Sequence, residues 1–166
     1  MVAEALAQRW RLGPARQRFA GLLLEGRVVT GEAEGTPRTT RVALLRPQTY
    51  MNEAGRSVGP ARGAFKLPPE RVLVVHDEID LPFGEVRART GGGLAGHNGL
   101  RSIRRELGSA EFTRVRVGVG RPDSTDPEIV SAYVLGRFRE GRQQVEELIE
   151  HACSEVERVV LQHEAP

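Results

Sequence analysis

Three polar clusters in this sequence combine residue types suited to general base catalysis and to positioning a substrate. Two of them, Gln48–Asn52 and His76–Asp80, directly follow predicted strands, and the third, Gly91–Asn98, directly precedes a predicted helix. In open α/β sheets, ligand sites form beyond the carboxyl ends of strands, so three such loops can meet at one crevice. The alternative for any single cluster is a plain turn or a helix cap, which is a weaker explanation for all three together.

Asp77 is the candidate for acid–base chemistry. It follows an apolar strand, where its carboxylate can hold a histidine in its basic orientation and stabilise the imidazolium formed during base catalysis. The alternative is an aspartate that caps a turn or pairs with an arginine. Of its acidic neighbours, Asp80 before Leu81 is interpreted as a turn residue and Glu78 as a solvated charge.

Two asparagines and one tyrosine are candidates for holding the substrate. Asn52 and Asn98 can donate amide hydrogen bonds to a carbonyl, a developing oxyanion or a nucleotide. Tyr50 can stack on a base or ribose. Each has a structural alternative, because asparagines are good helix caps and a lone aromatic near a strand end is as often an edge residue of the core.

The glycine-rich loop Gly91–Gly96 opens a helix, where backbone N–H groups can approach a phosphate. The sequence there matches neither the Walker motif nor the dinucleotide fingerprint. A metal site is the weaker alternative because no HExxH or paired-cysteine spacing supports it; its ligands would be His76, Asp77, Asp80 and His97. Structural roles are expected for Cys153, His151 and His163.

Apolar periodicity predicts the elements that position these clusters. Helices are predicted over the first dozen residues, after Asn52 with Val58, Ala61 and Phe65 as its core face, and over 98–107 and 140–161. Strands are predicted over 18–24, 38–46, 71–76, 86–89 and 112–119, the last half-buried, with a weaker strand over 27–30. This alternation implies one α/β domain over residues 1–166, with three layers and a mixed, partly parallel sheet flanked by helices.

Composition limits the class of protein. The chain has 166 residues, 39% hydrophobic and 28% charged, and no apolar run approaches the ~20 residues of a membrane span. The single cysteine and the lack of a signal-peptide pattern predict a cytoplasmic protein with no membrane partner. The net charge of +2 is segregated, because residues 122–166 hold 4 basic and 10 acidic groups. The positive remainder is compatible with a polyanionic partner.

With these clusters in place, the sequence resembles the bacterial peptidyl-tRNA hydrolases. The resemblance is carried, in family order, by RPQTYMNEAGRSV (46–58), VLVVHDEIDLPFGEVR (72–87), TGGGLAGHNGLRSI (90–103), FTRVRVGVGRP (112–122) and IVSAYVLGRF (129–138). It implies hydrolysis of the ester between a peptide and the terminal ribose of tRNA, which recycles tRNA from aborted translation. The implied substrate is peptidyl-tRNA, the implied state is a monomer, and no cofactor or metal is implied.

The resemblance also assigns roles by position. Asp77 matches the aspartate that stabilises the basic form of the family's catalytic histidine. Asn52 and Asn98 match substrate and tRNA contacts, Tyr50 an aromatic position on the same loop, and Met51 a pocket residue. Independently of the family, the helix after the glycine-rich loop offers candidates for phosphate contacts: Arg101, Arg104 and Arg105.

The family's first strand, its GLGNPG turn and the TRHN stretch with the catalytic histidine have no counterpart in this sequence. The expectation is a chain that keeps the cleft, has unpaired sheet edges, and hydrolyses its substrate poorly. His97 is the only plausible internal substitute for the base, but the family carries a histidine there as well as the catalytic one, which disfavours replacement. The alternatives are a non-catalytic RNA-binding relative and, more remotely, a metal-dependent hydrolase built on His76 and Asp77.

Overall fold

The structure, a computed structural model, describes residues 1–94 and 96–162, so that Ala95 and His163 of the sequence analysis lie outside the described residues. The helices are α1 (Val2–Arg9), α2 (Gly55–Phe65), α3 (Asn98–Leu107), α4 (Pro127–Leu135) and α5 (Arg142–Gln162). The strands are β1 (Arg16–Arg18), β2 (Gly21–Ala33), β3 (Thr36–Pro47), β4 (Leu73–Glu78), β5 (Val86–Thr90) and β6 (Thr113–Gly118). Short 3₁₀ helices cover Met51–Glu53 and Pro69–Arg71. Within the described part of the chain, no helix is both long and apolar enough to cross a membrane.

The strands form two sheets. One is antiparallel in the order β1-β2-β3, and the other is mixed in the order β4-β6-β5, with β4 parallel and β5 antiparallel to β6. The α/β class and the mixed strand directions are confirmed, whereas the prediction of one sheet is corrected to two. The physical reason is that no strand among the described residues pairs with the outer edges of β3 and β4.

One hydrophobic core joins both sheets to α1 and α5. Leu6 from α1 and Leu44 from β3 pack with Val115 and Val117 from β6. The stripe from α5 that completes this core consists of Leu148, Ala152, Cys153, Val156 and Val159. Cys153 is fully buried there, as expected for a structural cysteine.

A second core fixes α3 against α2 and the mixed sheet. Its centre is Leu100, Ile103 and Leu107 of α3 together with Phe112 at the start of β6, all at most 6% exposed. The two helices approach so closely that a Cβ on Gly55 would lie 2.3 Å from the carbonyl oxygen of Ser102. Only glycine fits at that position, and this close contact locks the helix that carries part of the candidate site.

Several elements differ from the predictions in identifiable ways. The predicted strands at 18–24 and 27–30 merge, because β2 pairs with β3 along its length and the pairs continue to the tip of the hairpin. Helix α2 starts after Ala54, so Asn52 lies in the preceding 3₁₀ helix and does not cap it. Helix α4 was missed, although Asp126 accepts hydrogen bonds from two backbone N–H groups and Pro127 occupies its first turn.

Candidate functional site

The centre of the candidate site is a pair of side chains from β4 and α3. Asp77 is the penultimate residue of β4, and His97 is the N-cap of α3. The His97 Nε2 lies 3.8 Å from the Asp77 Oδ1, and both side chains are partly buried. The carboxyl end of a sheet strand and the start of a helix therefore bring two of the three sequence clusters together.

Both ring nitrogens of His97 are engaged. Its Nδ1 accepts a hydrogen bond of 3.2 Å from the backbone N–H of Leu100 and so caps α3. Accepting at Nδ1 requires that the neutral ring carries its proton on Nε2, which faces Asp77. To take another proton, His97 would have to give up the cap. In this geometry His97 has a structural role: it holds the start of α3 beside Asp77.

His76 is the second histidine at this position. Its Nδ1–H donates to the backbone carbonyl of Asp77 at 2.7 Å, and its ring meets that of His97 edge to face at 5.0 Å. Burial lowers the pKa of His76 to about 4. Its Nε2 is buried and finds no partner among the described residues. His76 is therefore neutral near pH 7, with one unused acceptor.

Asp77 is held ionised. Burial alone would raise the pKa of its carboxyl, but interaction with the His97 ring, together with smaller contributions from its own backbone and from His76, outweighs burial and keeps that pKa below 3.8. A buried carboxylate that stays charged can orient an imidazole and stabilise its protonated form.

The loop after β3 packs against the start of α3. A Cβ on Gly99 would lie 2.8 Å from the Sδ of Met51 and 3.0 Å from the Cε1 of His97, so Met51 is next to the capping histidine. Asn52 is exposed, and Tyr50 is 82% exposed, which excludes an edge-of-core role for that ring. All three sequence clusters therefore meet around the N-terminus of α3.

Asn98 is the first residue of α3 and not its cap, because His97 occupies the cap position. Its side chain is exposed, and its Oδ1 accepts a hydrogen bond from the guanidinium of Arg101. The amide N–H groups of Asn98 have no hydrogen-bond partner among the residues that the structure describes. Arg101 itself remains exposed, as do Arg104 and Arg105 further along the helix.

Arginines on one face of the mixed sheet were missed by the sequence analysis. Arg114 of β6 is 2% exposed, and its guanidinium donates to the carbonyl of Gly91 at 2.6 Å. Its neighbour Arg116 pairs with Glu78 at 3.0 Å, so the interpretation of Glu78 as a solvated charge is wrong: it is 5% exposed. The alternation of FTRVRVGV was the available signal, because it places both arginines on one face.

The remaining polar candidates lie outside this centre. Asp80 is partly exposed and pairs with Arg121, consistent with a turn residue, and His151 contacts the carbonyl of Gly84 at 3.2 Å. In residues 1–94 and 96–162, no three His, Cys, Asp or Glu side chains form a group that could hold a metal ion.

Comparison with known proteins gives consistent results. The family model described as "Peptidyl-tRNA hydrolase" matches residues 1–165. The peptidyl-tRNA hydrolase of Granulibacter bethesdensis is 49% identical over 144 residues, which cover 87% of this chain and 69% of that protein. That of Sorangium cellulosum is 47% identical over 138 residues, covering 83% of this chain and 58% of that protein.

A solved structure agrees with these relatives. The crystal structure of peptidyl-tRNA hydrolase from Acinetobacter baumannii superimposes with a TM-score of 0.78 at 36% identity, covering 98% of this chain and 78% of that one. The chain spans roughly two thirds of the length of the curated relatives, with shares of 69%, 66% and 58% for the first three. By family model, relatives and structure, this chain belongs to the peptidyl-tRNA hydrolase family, whose members are carboxylic ester hydrolases.

Proposed function

We propose that Asp77 holds the general base for hydrolysis of peptidyl-tRNA, and that the loop after β3 and the start of α3 position the ester. The observation that carries this proposal is the partly buried, ionised Asp77 carboxylate next to His97 at the start of α3, where the loop after β3 also packs and three side chains suited to substrate contact are exposed. Those side chains are Tyr50, Asn52 and Asn98.

The reaction consumes one water. A histidine held by Asp77 takes a proton from that water, and the resulting hydroxide adds to the carbonyl carbon of the peptide ester. The amides of Asn52 and Asn98 donate to the carbonyl oxygen as it becomes negatively charged. Collapse of the tetrahedral intermediate breaks the bond to the ribose oxygen, which receives the proton from the imidazolium. The products are a free peptide and a tRNA with a free terminal hydroxyl.

The two described histidines near Asp77 are poor candidates for this base. His97 uses its Nδ1 to cap α3, and the pKa of His76 is about 4. The proposal therefore assigns the base to a histidine brought to Asp77 by a segment like the family's TRHN stretch. The outer edges of β3 and β4, which pair with no strand in residues 1–94 and 96–162, are suitable places for the strand of such a segment to pair.

The second candidate is a non-catalytic RNA-binding protein that uses the same cleft. It is favoured by one observation, the lack of a free base beside Asp77 among the described residues. The hydrolase would cleave the ester and the RNA-binding protein would not, whereas both would bind tRNA.

The test measures release of tRNA from an N-blocked aminoacyl-tRNA. The 166-residue chain is compared with a version fused to a strand, GLGNPG turn and TRHN stretch at its N-terminus, each with and without Asp77→Asn. We expect cleavage by the fused form only, reduced about 10²- to 10⁴-fold by Asp77→Asn. Efficient cleavage by the 166-residue chain that His97→Gln abolishes would overturn the assignment of the base. Tight tRNA binding without cleavage by either form would favour the second candidate.

A further inference from the structure

The two asparagines of this chain, Asn52 and Asn98, have different neighbours in the sequence. Both side chains are exposed, but Asn98 is followed by Gly99 and Asn52 by Glu53. The backbone nitrogen of the next residue can attack an asparagine amide, and glycine leaves that approach open because it has no side chain. The amide of Asn98 is therefore the one that meets less steric protection.

The packing of the candidate site requires glycine at this position. A Cβ on Gly99 would lie 2.8 Å from the Sδ of Met51, 3.2 Å from its carbonyl oxygen and 3.0 Å from the Cε1 of His97. A larger residue would have to displace the loop after β3 or the cap of α3. The close packing that builds the site thus also exposes the amide of Asn98 to attack.

The next backbone nitrogen is engaged at Asn52 and not at Asn98. The N–H of Glu53 donates to the carbonyl oxygen of Tyr50 at 2.9 Å, which withholds that nitrogen from the Asn52 amide. Gly99 is the second residue of α3, where an N–H has no partner within the helix, and no acceptor in residues 1–94 and 96–162 bonds to it. Helix ends also fray, so Asn98 can leave helical backbone angles without unfolding α3.

Two charges at the start of α3 favour the attack. The guanidinium of Arg101 donates to the Oδ1 of Asn98, so it stabilises the negative charge that this oxygen acquires when a nitrogen adds to Cγ. The N-terminus of a helix carries a partial positive charge, which favours loss of the proton from the Gly99 N–H. Both the electrophile and the nucleophile of the reaction are therefore activated.

We propose that Asn98 is a site of spontaneous deamidation, which removes a substrate-contact amide without unfolding the chain. The Gly99 nitrogen forms a bond to the Cγ of Asn98, and the bond from Cγ to the amide nitrogen breaks. Ammonia leaves with the proton of the Gly99 N–H, and a cyclic imide remains. Water then opens the imide at either carbonyl, which gives aspartate or isoaspartate.

The two products have different effects on α3. Aspartate keeps the normal backbone and places a carboxylate beside Arg101 at a helix N-terminus, where negative charge is favourable. Isoaspartate adds a methylene group to the backbone next to the bond from the Leu100 N–H to His97, and so disturbs the cap. Neither product has the side-chain N–H donors of the amide.

The experiment incubates the native chain at mildly alkaline pH, folded and in urea, and locates deamidation by peptide mass spectrometry. We expect Asn98 to be converted in the folded chain while Asn52, the internal control, keeps its amide. Each conversion should lower the net charge by one on ion exchange. Equal conversion of both asparagines in the folded chain, or conversion of Asn98 in urea only, would overturn the proposal.

A pair of variants tests the activation by Arg101. Arg101→Gln removes the cation at the Asn98 Oδ1, and Arg104→Gln removes equal charge from an exposed position further along the same helix. We expect slower conversion of Asn98 in Arg101→Gln and the native rate in Arg104→Gln. Equal rates in the two variants would overturn this activation.

Asn98→Asp reproduces one product and tests its consequence. We expect it to unfold at the native temperature or above it, and to bind uncharged tRNA more weakly than the native chain. Unfolding well below the native temperature would overturn the statement that the modification spares the fold. Native tRNA binding would overturn the role proposed for Asn98 at the substrate, whereas the deamidation is measured by mass and does not depend on that role.

Discussion

The two sheets of this molecule place similar residue types in opposite environments. In the mixed sheet, Val115 is fully buried and even Arg114 is only 2% exposed. In the antiparallel sheet, the β2–β3 hairpin extends so far that Val29 is 61% exposed and Arg27 and Arg41 are open to solvent. Both sheets contain valines and arginines, yet only the mixed sheet is covered on both faces, by α5 on one and α3 on the other.

This difference shows where chemistry can arise. Burial lowers the pKa of His76. Burial alone would raise the pKa of Asp77, but contact with the His97 ring lowers it. The arginines of the hairpin form exposed contacts, such as the 3.0 Å hydrogen bond from Arg27 to Thr39, that solvent can replace. Desolvation, more than residue type, separates the candidate site from the rest of the surface.

The largest expected effect is on the stability of the mixed sheet. Phe112→Ala should lower the free energy of unfolding by about 3–5 kcal/mol, because it empties a fully buried position beneath α3. Val29→Ala on the hairpin should change it by less than about 0.5 kcal/mol. Urea unfolding of both variants checks the contrast. Similar losses of unfolding free energy in the two variants would show that the two positions are equally well packed, which would contradict the contrast between the sheets.

The sequence predicted the elements with strong helical periodicity well. Helix α3 was predicted with the bounds that the structure has, because Leu100, Ile103 and Leu107 mark one face and Gly108 ends it. The convergence of the three polar clusters also followed from the sequence, since loops at strand ends and helix starts meet at one edge of an α/β sheet.

The parts that the sequence did not reveal depend on tertiary contacts. Glu78 was expected in solvent because nothing local shows that Arg116, 38 residues away, lies beside it. Asn98 was offered as a possible cap of α3, but the cap is His97, because its imidazole Nδ1 accepts from the backbone N–H of Leu100. Apolar periodicity predicted a single sheet because it does not show which strands pair; the resemblance to the family had implied the unpaired edges that β3 and β4 have among the described residues.

The next effect is a pH dependence of the free energy of unfolding, which arises from His76 in the mixed sheet. The pKa of His76 is about 4 in the fold against 6.5 for the free side chain, so the unfolded chain binds the extra proton first. Stability is therefore complete above pH 6.5 and is lost as the pH falls towards 4, by about 2–3 kcal/mol at pH 4.5. Although burial alone would raise the pKa of Asp77, contact with the His97 ring holds it below its ordinary value, so this dependence is assigned to His76.

Unfolding measured from pH 7 to pH 4.5 for the native chain and for His76→Gln tests this dependence. The difference in stability between the two should shrink or reverse as the pH falls, since the variant has no group to protonate at this position. A constant difference across the range would show that His76 is not held neutral by burial.

A smaller effect on the free energy of unfolding is expected when a buried hydrogen bond is removed, and almost none when an exposed one is removed. The Ser102 Oγ accepts from the backbone N–H of Gly55 at 3.0 Å where α3 meets α2, and both residues are buried. Ser102→Ala should lower the free energy of unfolding by about 1–3 kcal/mol, because the N–H is left without a partner. Thr39→Ala, which removes the exposed bond from Arg27, is the matched control, with less than about 0.5 kcal/mol expected. Equal effects in thermal unfolding would contradict the role given to desolvation.

The smallest expected effect comes from shortening the hairpin. Val29 pairs with Thr39, so replacing residues 30–38 with Asn-Gly would close β2 and β3 by a two-residue turn that suits their twist. Within this segment, residues 30–32 and 34–38 are exposed or only partly buried, and loop length changes stability slowly. We expect the free energy of unfolding to change by less than about 1 kcal/mol, with tRNA binding unaltered. Loss of tRNA binding in the shortened chain, with its stability intact, would show that the hairpin contributes to recognition and that the mixed sheet and α3 do not act alone.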